Sequence, residues 1–221
     1  NRYPNPPLSV AEKYLRAASP LGLDTQDLQP ELHLSSEIKS RMGEIYSDLG
    51  KQHFKVIIAP GARHFTKRWL PEYFQKLIIL IHEQMGWKTI LVGDKSEKDW
   101  IARIQEGVPH GIVQDFSGEL TLEETCGLIS SAPYFISNDS GLMHAAAAFR
   151  KPQVAIFGGT VRELGFFPIN PQAVVVENSG LNCRPCSHIG RPNCPKHHFK
   201  CMKEITPQQV FQQFQRLVLK K

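Results

Sequence analysis

Apolar residues occur along this chain in two alternating patterns. Short continuous runs predict buried strands, and longer segments with apolar residues three and four apart predict helices. The strands are expected at Phe54–Ala59, Lys88–Val92, Ile112–Phe116, Tyr134–Ser137, Gln153–Phe157 and Ala173–Val176. The helices between and after them are expected at Pro71–Met85, Glu97–Glu106, Thr121–Ser131, from Ser140 onward, and at Pro207–Leu219. This regular alternation predicts an α/β fold, a Rossmann-like parallel sheet with helices on both faces.

The segment before the first strand has a different character. Residues 1–7 are polar and proline-rich, which indicates a linker. A capping-box pattern at Ser9–Glu12 predicts one helix, and apolar residues at helical spacing from Ile38 to Leu49 predict another. The chain also begins without an initiator methionine. We therefore expect residues 1–52 to be a linker and helices that lead in from a missing N-terminal domain, and residues 53–221 to be the α/β domain.

The stretch Asn138–His144 carries the strongest indication of chemistry. It begins with three N-cap residue types where a strand is expected to end and a helix to begin, and Gly141 allows a ligand to approach the backbone. The free N–H groups of such a first helical turn, at the positive end of the helix dipole, form an anion site that suits phosphate. His144 lies one turn after Ser140 and can donate to the same phosphate. The alternative is ordinary capping, with Ala145–Ala148 packed on the sheet.

The loops after the first two strands would share one rim of the sheet with this site. The first carries Arg63, Lys67 and Arg68, cations that suit a diphosphate, with packing around Trp69 as the alternative. It is not a P-loop, since Lys67 is not followed by Ser or Thr. The second carries Glu97, with Asp94 as its competitor. Either carboxylate could bind ribose hydroxyls. In the alternative, Asp94 or Ser96 caps the next helix and Glu97 complements its dipole.

Two more loops of the rim are weaker candidates. Phe116–Gly118 and Thr121 follow the third strand and could flank a nucleobase. Thr160 follows two glycines, Gly158 and Gly159, that permit close backbone approach after the fifth strand. A simple turn is the alternative for this last loop.

Four of the five cysteines crowd together near the C-terminus, at Cys183, Cys186, Cys194 and Cys201. In a cytosolic protein this spacing suggests metal more than disulfides, and four thiolates would form a closed tetrahedral site for structural zinc or iron. Reduced packing cysteines or a disulfide pair are the alternatives. Three histidines could replace a thiolate ligand: His188, His197 and His198.

Charge is distributed unevenly along the chain. The formal net charge is +5, yet residues 183–221 carry eight Lys or Arg residues and one acid, Glu204. A basic end favours an anionic membrane surface, a phosphorylated glycolipid or nucleic acid, or serves solubility alone. No run of about 18 apolar residues exists, so no membrane span is predicted. The expected location is cytoplasmic, with peripheral contact at the inner membrane left open.

The segment Asn138–His144 resembles the signature of glycosyltransferase family 9, the heptosyltransferase family of lipopolysaccharide assembly. Three other stretches fit the family in the same order, and the resemblance runs from about Phe54 to Val210. It implies the C-terminal, donor-binding half of a glycosyltransferase with the GT-B architecture. The three stretches are Pro60–Arg63 with Lys67–Trp69, Val154–Gly158, and Cys183–Cys201 followed by Ile205–Val210.

This resemblance implies a function. The family transfers a heptose, typically from ADP-heptose, to the lipopolysaccharide inner core, with inversion at the anomeric carbon and no metal for chemistry. By resemblance, Lys67 and His144 are the catalytic candidates. The donor-binding candidates are Arg63, Glu97, Asp139, Ser140, Gly141, Leu142, His144 and Thr160.

The same resemblance places the general base, an Asp, and the site for the lipid-linked oligosaccharide acceptor in the N-terminal domain. Because that domain is expected to be missing, we expect this chain to bind the donor without transferring sugar by itself. The alternatives are a stand-alone nucleotide-binding module and a zinc-stapled nucleic-acid binder. The latter would bind DNA or RNA in a salt-dependent way. Nucleic acid is not the expected partner, since few aromatic residues accompany the basic segment.

Overall fold

The computed structural model describes residues 7–22 and 27–220. The linker predicted for residues 1–7 lies outside the described residues, apart from Pro7. The strands are β1 (Phe54–Ala59), β2 (Lys88–Leu91), β3 (Val113–Asp115), β4 (Tyr134–Asn138), β5 (Gln153–Phe157) and β6 (Ala173–Glu177). The α-helices are α1 (Val10–Ala18), α2 (Ser36–Lys51), α3 (Pro71–Met85), α4 (Lys98–Gln105), α5 (Leu122–Ser131), α6 (Gly141–Ala148), α7 (Lys200–Lys203) and α8 (Pro207–Leu219).

The six strands form one parallel sheet. Their order is β3-β2-β1-β4-β5-β6, and every neighbouring pair is parallel. The order reverses between β1 and β4, so the two loops that leave these strands diverge and open a crevice. This switch point is where open α/β sheets bind ligands. The Rossmann-like parallel sheet predicted from the sequence is therefore confirmed.

Both faces of the sheet are covered by helices, because β1 presents apolar side chains to each face in turn. Val56 and Ile58 pack with α3, α4 and α8 on one face. Ile57 and Ala59 pack with α2, α5 and α6 on the other. Met42 of α2 is fully buried in the second cluster, so α2 packs directly on the α/β domain. The prediction of helices on both faces is confirmed.

The ends of several elements differ slightly from the sequence-based prediction. The helix predicted to begin at Glu97 starts as a 3-10 turn over Lys95–Glu97, because Asp94 caps this turn with its side chain. Helix α1 buries none of its residues, and its Tyr14 is 73% exposed. Among residues 7–22 and 27–220, no helix is both long enough and apolar enough to cross a bilayer.

Candidate functional site

A cleft of about 960 Å³ opens at the carboxyl ends of β1, β2 and β4. Its position is the one that the strand order dictates, since the loops after β1 and β4 separate there. Nine of the residues proposed from the sequence line it: Arg63, Lys67, Asp94, Glu97, Asp139, Ser140, Gly141, Leu142 and His144.

A fully buried amide joins the two loops at the base of the cleft. The side-chain nitrogen of Asn138 donates to the carbonyl of Pro60 at 2.7 Å, and its oxygen accepts from the backbone N–H of Trp69 at 3.1 Å. The indole of Trp69 is itself fully buried and donates to the carbonyl of Ile205 at 2.9 Å. Asn138 and Trp69 therefore fix the path of the loop that carries Lys67.

Lys67 and Asp139 form an ion pair on the cleft wall. The ammonium of Lys67 lies 2.9 Å from a carboxylate oxygen of Asp139, with side chains 14% and 3% exposed. The hydroxyl of Thr160 donates to the same oxygen at 2.7 Å. Thr160 is 1% exposed and does not line the cleft. The structure therefore places Thr160 as a support for Asp139, with no face toward a ligand in the cleft.

The first turn of α6 faces the cleft with its backbone donors uncapped. Ser140 occupies the N-cap position, but its side chain makes no capping bond. Its hydroxyl oxygen is buried and finds no hydrogen-bond partner among the described residues. A Cβ placed on Gly141 would meet nothing within 4 Å, so the backbone here is open to a ligand. This is the arrangement of an anion site at a helix N-terminus.

His144 stands one turn into α6 and is exposed to the cleft. Desolvation of the imidazole by the surrounding protein lowers its pKa below the ordinary 6.5. The nearby charge of Asp139 raises this pKa, and that of Lys67 lowers it. The net direction is downward, so His144 is largely neutral at neutral pH. A neutral imidazole can donate one hydrogen bond to an anion, and its protonation becomes easier once an anion binds.

Glu97 is the third residue of the capping box that Asp94 begins, and it also lines the cleft. Its carboxylate accepts from the N–H of Asp94 at 3.2 Å. Burial raises the pKa of Glu97; its bond to the Asp94 N–H lowers it, the Asp94 charge raises it, and Arg68 lowers it. A Cβ added to Gly61 would lie 1.9 Å from a Glu97 carboxylate oxygen, so only glycine leaves room for this carboxylate.

Much of the apolar lining was missed by sequence reasoning. The loop expected beside a nucleobase, Phe116–Gly118, does not line the cleft, whereas Leu120 and Leu122 just after it do. Leu122 is 72% exposed at the start of α5. The apolar Leu122 in the otherwise polar first turn of a predicted helix was the sequence signal that could have identified this lining. The other missed lining residues are Pro30, Glu31, Leu32, Thr125, Cys126, Ala145, Ala148, Phe166 and Ile189.

The predicted structural zinc or iron site at Cys183, Cys186, Cys194 and Cys201 is not supported. Across residues 7–22 and 27–220, no three His, Cys, Asp or Glu side chains are placed to hold a metal ion. All five cysteines are free thiols, and the sulfur of Cys183 lies 3.8 Å from the ring nitrogen of His198. Cys201 is 6% exposed in the core, and burial raises its pKa to about 11. These features agree with reduced packing cysteines.

Most of the chain matches one known protein family. Glycosyltransferase family 9 (heptosyltransferase) matches residues 3–197. Lipooligosaccharide heptosyltransferase 2 of Campylobacter jejuni is 31% identical over 162 residues, which cover 72% of this chain and 49% of that protein. This chain thus spans about half the length of that curated relative.

Two solved structures share the fold. The glycosyl transferase family 9 structure from Veillonella parvula has a TM-score of 0.82 at 21% identity, covering 100% of this chain and 63% of that one. The E. coli ADP-heptose lps heptosyltransferase II structure has a TM-score of 0.76 at 24% identity, covering 97% and 62%.

Proposed function

This chain belongs to glycosyltransferase family 9, and from that premise we propose that it is the donor-binding half of an inverting heptosyltransferase that acts in lipopolysaccharide core assembly. The observation that carries the proposal is the meeting of Lys67 with the uncapped first turn of α6 at the switch point of the sheet. A cation and free backbone donors on one wall suit a diphosphate. The division into residues 1–52 and the donor domain 53–221 is part of this proposal.

The proposed donor is ADP-heptose. The E. coli protein of similar structure is an ADP-heptose lps heptosyltransferase II, and the cleft volume is within the range of about 300 to 1,000 Å³ usual for small-molecule sites. Its apolar lining, which includes Leu32, Leu120 and Leu122, suits the nucleobase, and Glu97 suits the ribose hydroxyls. The donor is then oriented with the diphosphate at Lys67 and α6.

The proposed chemistry breaks the bond between the anomeric carbon and the diphosphate while an acceptor hydroxyl attacks from the opposite face. The leaving ADP gains negative charge as this bond breaks. Lys67, the N–H groups of the α6 first turn and His144 stabilise that charge, and Arg63 at the exposed rim adds to the positive field. Metal is not needed for this proposed mechanism, because the chain's own cations and backbone donors face the leaving group.

We propose that the lipid-linked oligosaccharide acceptor and the general base belong to a further, N-terminal domain. The basic segment 183–221 would favour peripheral contact with the anionic inner membrane from the cytoplasmic side. The isolated 221-residue chain is then expected to bind donor without turnover. Steady glycosyl transfer by this chain in a radiolabelled-donor assay would contradict that division of labour.

A stand-alone nucleotide-binding module is the second candidate. The observation in its favour is that this single chain already builds the cleft from both loops of the switch point. The two candidate functions predict different relative affinities for ADP and ADP-heptose. A module that recognises only the nucleotide binds ADP and ADP-heptose equally, whereas a transferase half gains affinity from the sugar.

Calorimetric titration with ADP, GDP and UDP tests the proposed donor site. We expect selective ADP binding that is weakened in His144→Ala and retained in His110→Ala, an exposed histidine outside the cleft. Selective GDP or UDP binding would keep the site and overturn the ADP assignment. A folded chain that binds none of the three would contradict the donor-binding function.

A further inference from the structure

We propose that Arg184 is a positioning residue for the diphosphate site, and that residues 183–191, the first part of the cysteine segment (residues 183–201), hold Lys67 and Asp139 in place. The inference rests on the proposed function, because it assigns a role in diphosphate recognition. It gives the cysteine segment a task that needs no metal.

Arg184 carries a buried charge that donates four hydrogen bonds. Its side chain is only 3% exposed. The guanidinium donates to the carbonyls of Gly158 and Thr160, each at 2.6 Å, and also pairs with Glu177 and the carbonyl of Asn178. A buried guanidinium without partners would be costly, so these bonds fix the positions of the groups that receive them. Arg184 thus ties the cysteine segment to the loop after β5.

The loop after β5 contacts Asp139 through Thr160. Its carbonyl is held by Arg184, while its hydroxyl donates to Asp139 at 2.7 Å. Asp139 in turn holds the ammonium of Lys67 at 2.9 Å. A continuous chain of polar contacts therefore runs from Arg184 to the cation proposed to bind the diphosphate.

A second set of contacts reaches Lys67 from its own loop. The backbone N–H of Thr66 donates to the carbonyl of Arg191 at 3.1 Å, and the N–H of Arg191 donates to the hydroxyl of Thr66 at 2.8 Å. The carbonyl of Thr66 accepts from the N–H of Gly159 at 3.2 Å, and the N–H of Cys186 donates to the carbonyl of Gly159 at 3.1 Å. The residue before Lys67 is held on both sides.

The loop after β5, the loop of Thr66 and the cysteine segment are closely packed. A Cβ on Gly159 would lie 2.8 Å from the sulfur of Cys186, and one on Gly158 would lie 2.9 Å from the carbonyl of Thr66. The three segments therefore touch backbone to backbone. Since a misplacement of about 1 Å can cost a site much of its effect, loss of the Arg184 contacts should be felt at Lys67.

The test compares diphosphate recognition with stability. We expect Arg184→Met to weaken ADP binding by about tenfold while AMP binding changes by less than about threefold. Arg184→Lys, which keeps the charge and fewer donors, should recover part of the loss. Leu217→Ala, a buried change in α8 outside the cleft, supplies a destabilised control that keeps the ADP-to-AMP ratio of the wild type.

A nucleotide-free readout separates this inference from the proposed function. The pKa of His144 responds to both Asp139 and Lys67, so its titration by NMR reports their positions. We expect Thr160→Val to shift that pKa and Thr160→Ser, which restores the hydroxyl, to return it. This pair also serves if Arg184→Met does not fold.

The outcomes are distinct. A wild-type chain without preference for ADP over AMP overturns the proposed function, while the His144 titration still decides the positioning role. A wild-type preference that persists in a folded Arg184→Met protein overturns the positioning role. An unchanged His144 pKa in Thr160→Val overturns it as well.

Discussion

The ammonium of Lys67 lies 2.9 Å from the carboxylate of Asp139, and this ion pair bridges the loops after β1 and β4 at the point where strand order reverses. The two residues are 72 positions apart and meet only because the sheet places β1 beside β4. Asp139 is 3% exposed, so its carboxylate is surrounded by protein atoms and not by water. The pair both builds the site and stabilises it.

Removing one partner should therefore cost more than removing both. We expect Lys67→Met to lower the free energy of unfolding by about 2 to 3 kcal/mol, because it leaves a buried carboxylate without its cation. The double variant Lys67→Met/Asp139→Asn should recover most of that stability. Urea denaturation measures both values. Additive losses in the double variant would show that the pair contributes no coupling.

The pH dependence of nucleotide binding should report His144. Its free-state pKa lies below 6.5, and a bound anion favours the protonated imidazole, so the affinity for ADP should rise as pH falls toward that pKa. His144→Gln keeps a donor but cannot titrate. We expect the wild-type affinity to gain severalfold over His144→Gln between about pH 8 and pH 6.

Calorimetry at matched pH values measures this ratio, and the protonation of ADP itself cancels between the two proteins. A ratio that stays constant with pH would place His144 away from the phosphates. A ratio that falls as pH falls would mean that His144 loses a needed acceptor role on protonation.

The overall architecture could be predicted from the sequence, and the arrangement within it only in part. Buried strands that alternate with helices dictate a parallel sheet, which the structure confirms. Strand order could not be inferred, because periodicity reveals which face of a strand is buried and carries no record of its neighbours. The contact between Thr160 and Asp139 could not be predicted either, because it depends on β4 and β5 being neighbours in the sheet. The spacing of the cysteines predicted a metal site that the structure does not support, because close-set cysteines suit metal binding and packing equally.

A side chain at position 61 should displace the carboxylate of Glu97. A Cβ there would lie 1.9 Å from a Glu97 carboxylate oxygen, so Gly61→Ala must displace that side chain. We expect the variant to lose about three- to tenfold in affinity for ADP, with a smaller loss for ribose-free diphosphate. Competition between ADP and pyrophosphate against a fluorescent nucleotide measures both. Gly180→Ala, whose Cβ would meet only Asn178 at 3.6 Å, is the control.

Equal losses for ADP and pyrophosphate in Gly61→Ala would remove Glu97 from ribose recognition. The displacement would then act on the phosphate loop as a whole.

Glu97 should also carry a cost in stability at neutral pH. Burial holds the pKa of Glu97 above its ordinary 4.5, so the folded state binds the proton more tightly than the unfolded state. Its contribution to stability is therefore best at low pH and is lost as pH rises through the folded pKa. We expect Glu97→Gln to be more stable than wild type near neutral pH, and this advantage to vanish toward about pH 4.

Thermal unfolding across that pH range follows the difference between the two proteins. Glu83→Gln on α3, an exposed carboxylate outside the cleft, is the matched control. A Glu97→Gln protein that is less stable than wild type at neutral pH would mean that the bond from the Asp94 N–H outweighs the cost of burial.

The measurement that tests the central claim most directly is an amide NMR titration of the labelled chain with ADP. The account predicts saturable shifts for Gly141, Leu142 and Lys67, while amides of α8 stay unchanged. Shifts confined to the basic stretch Lys196–Lys203, with the first turn of α6 silent, would contradict a donor site at the junction of β1 and β4.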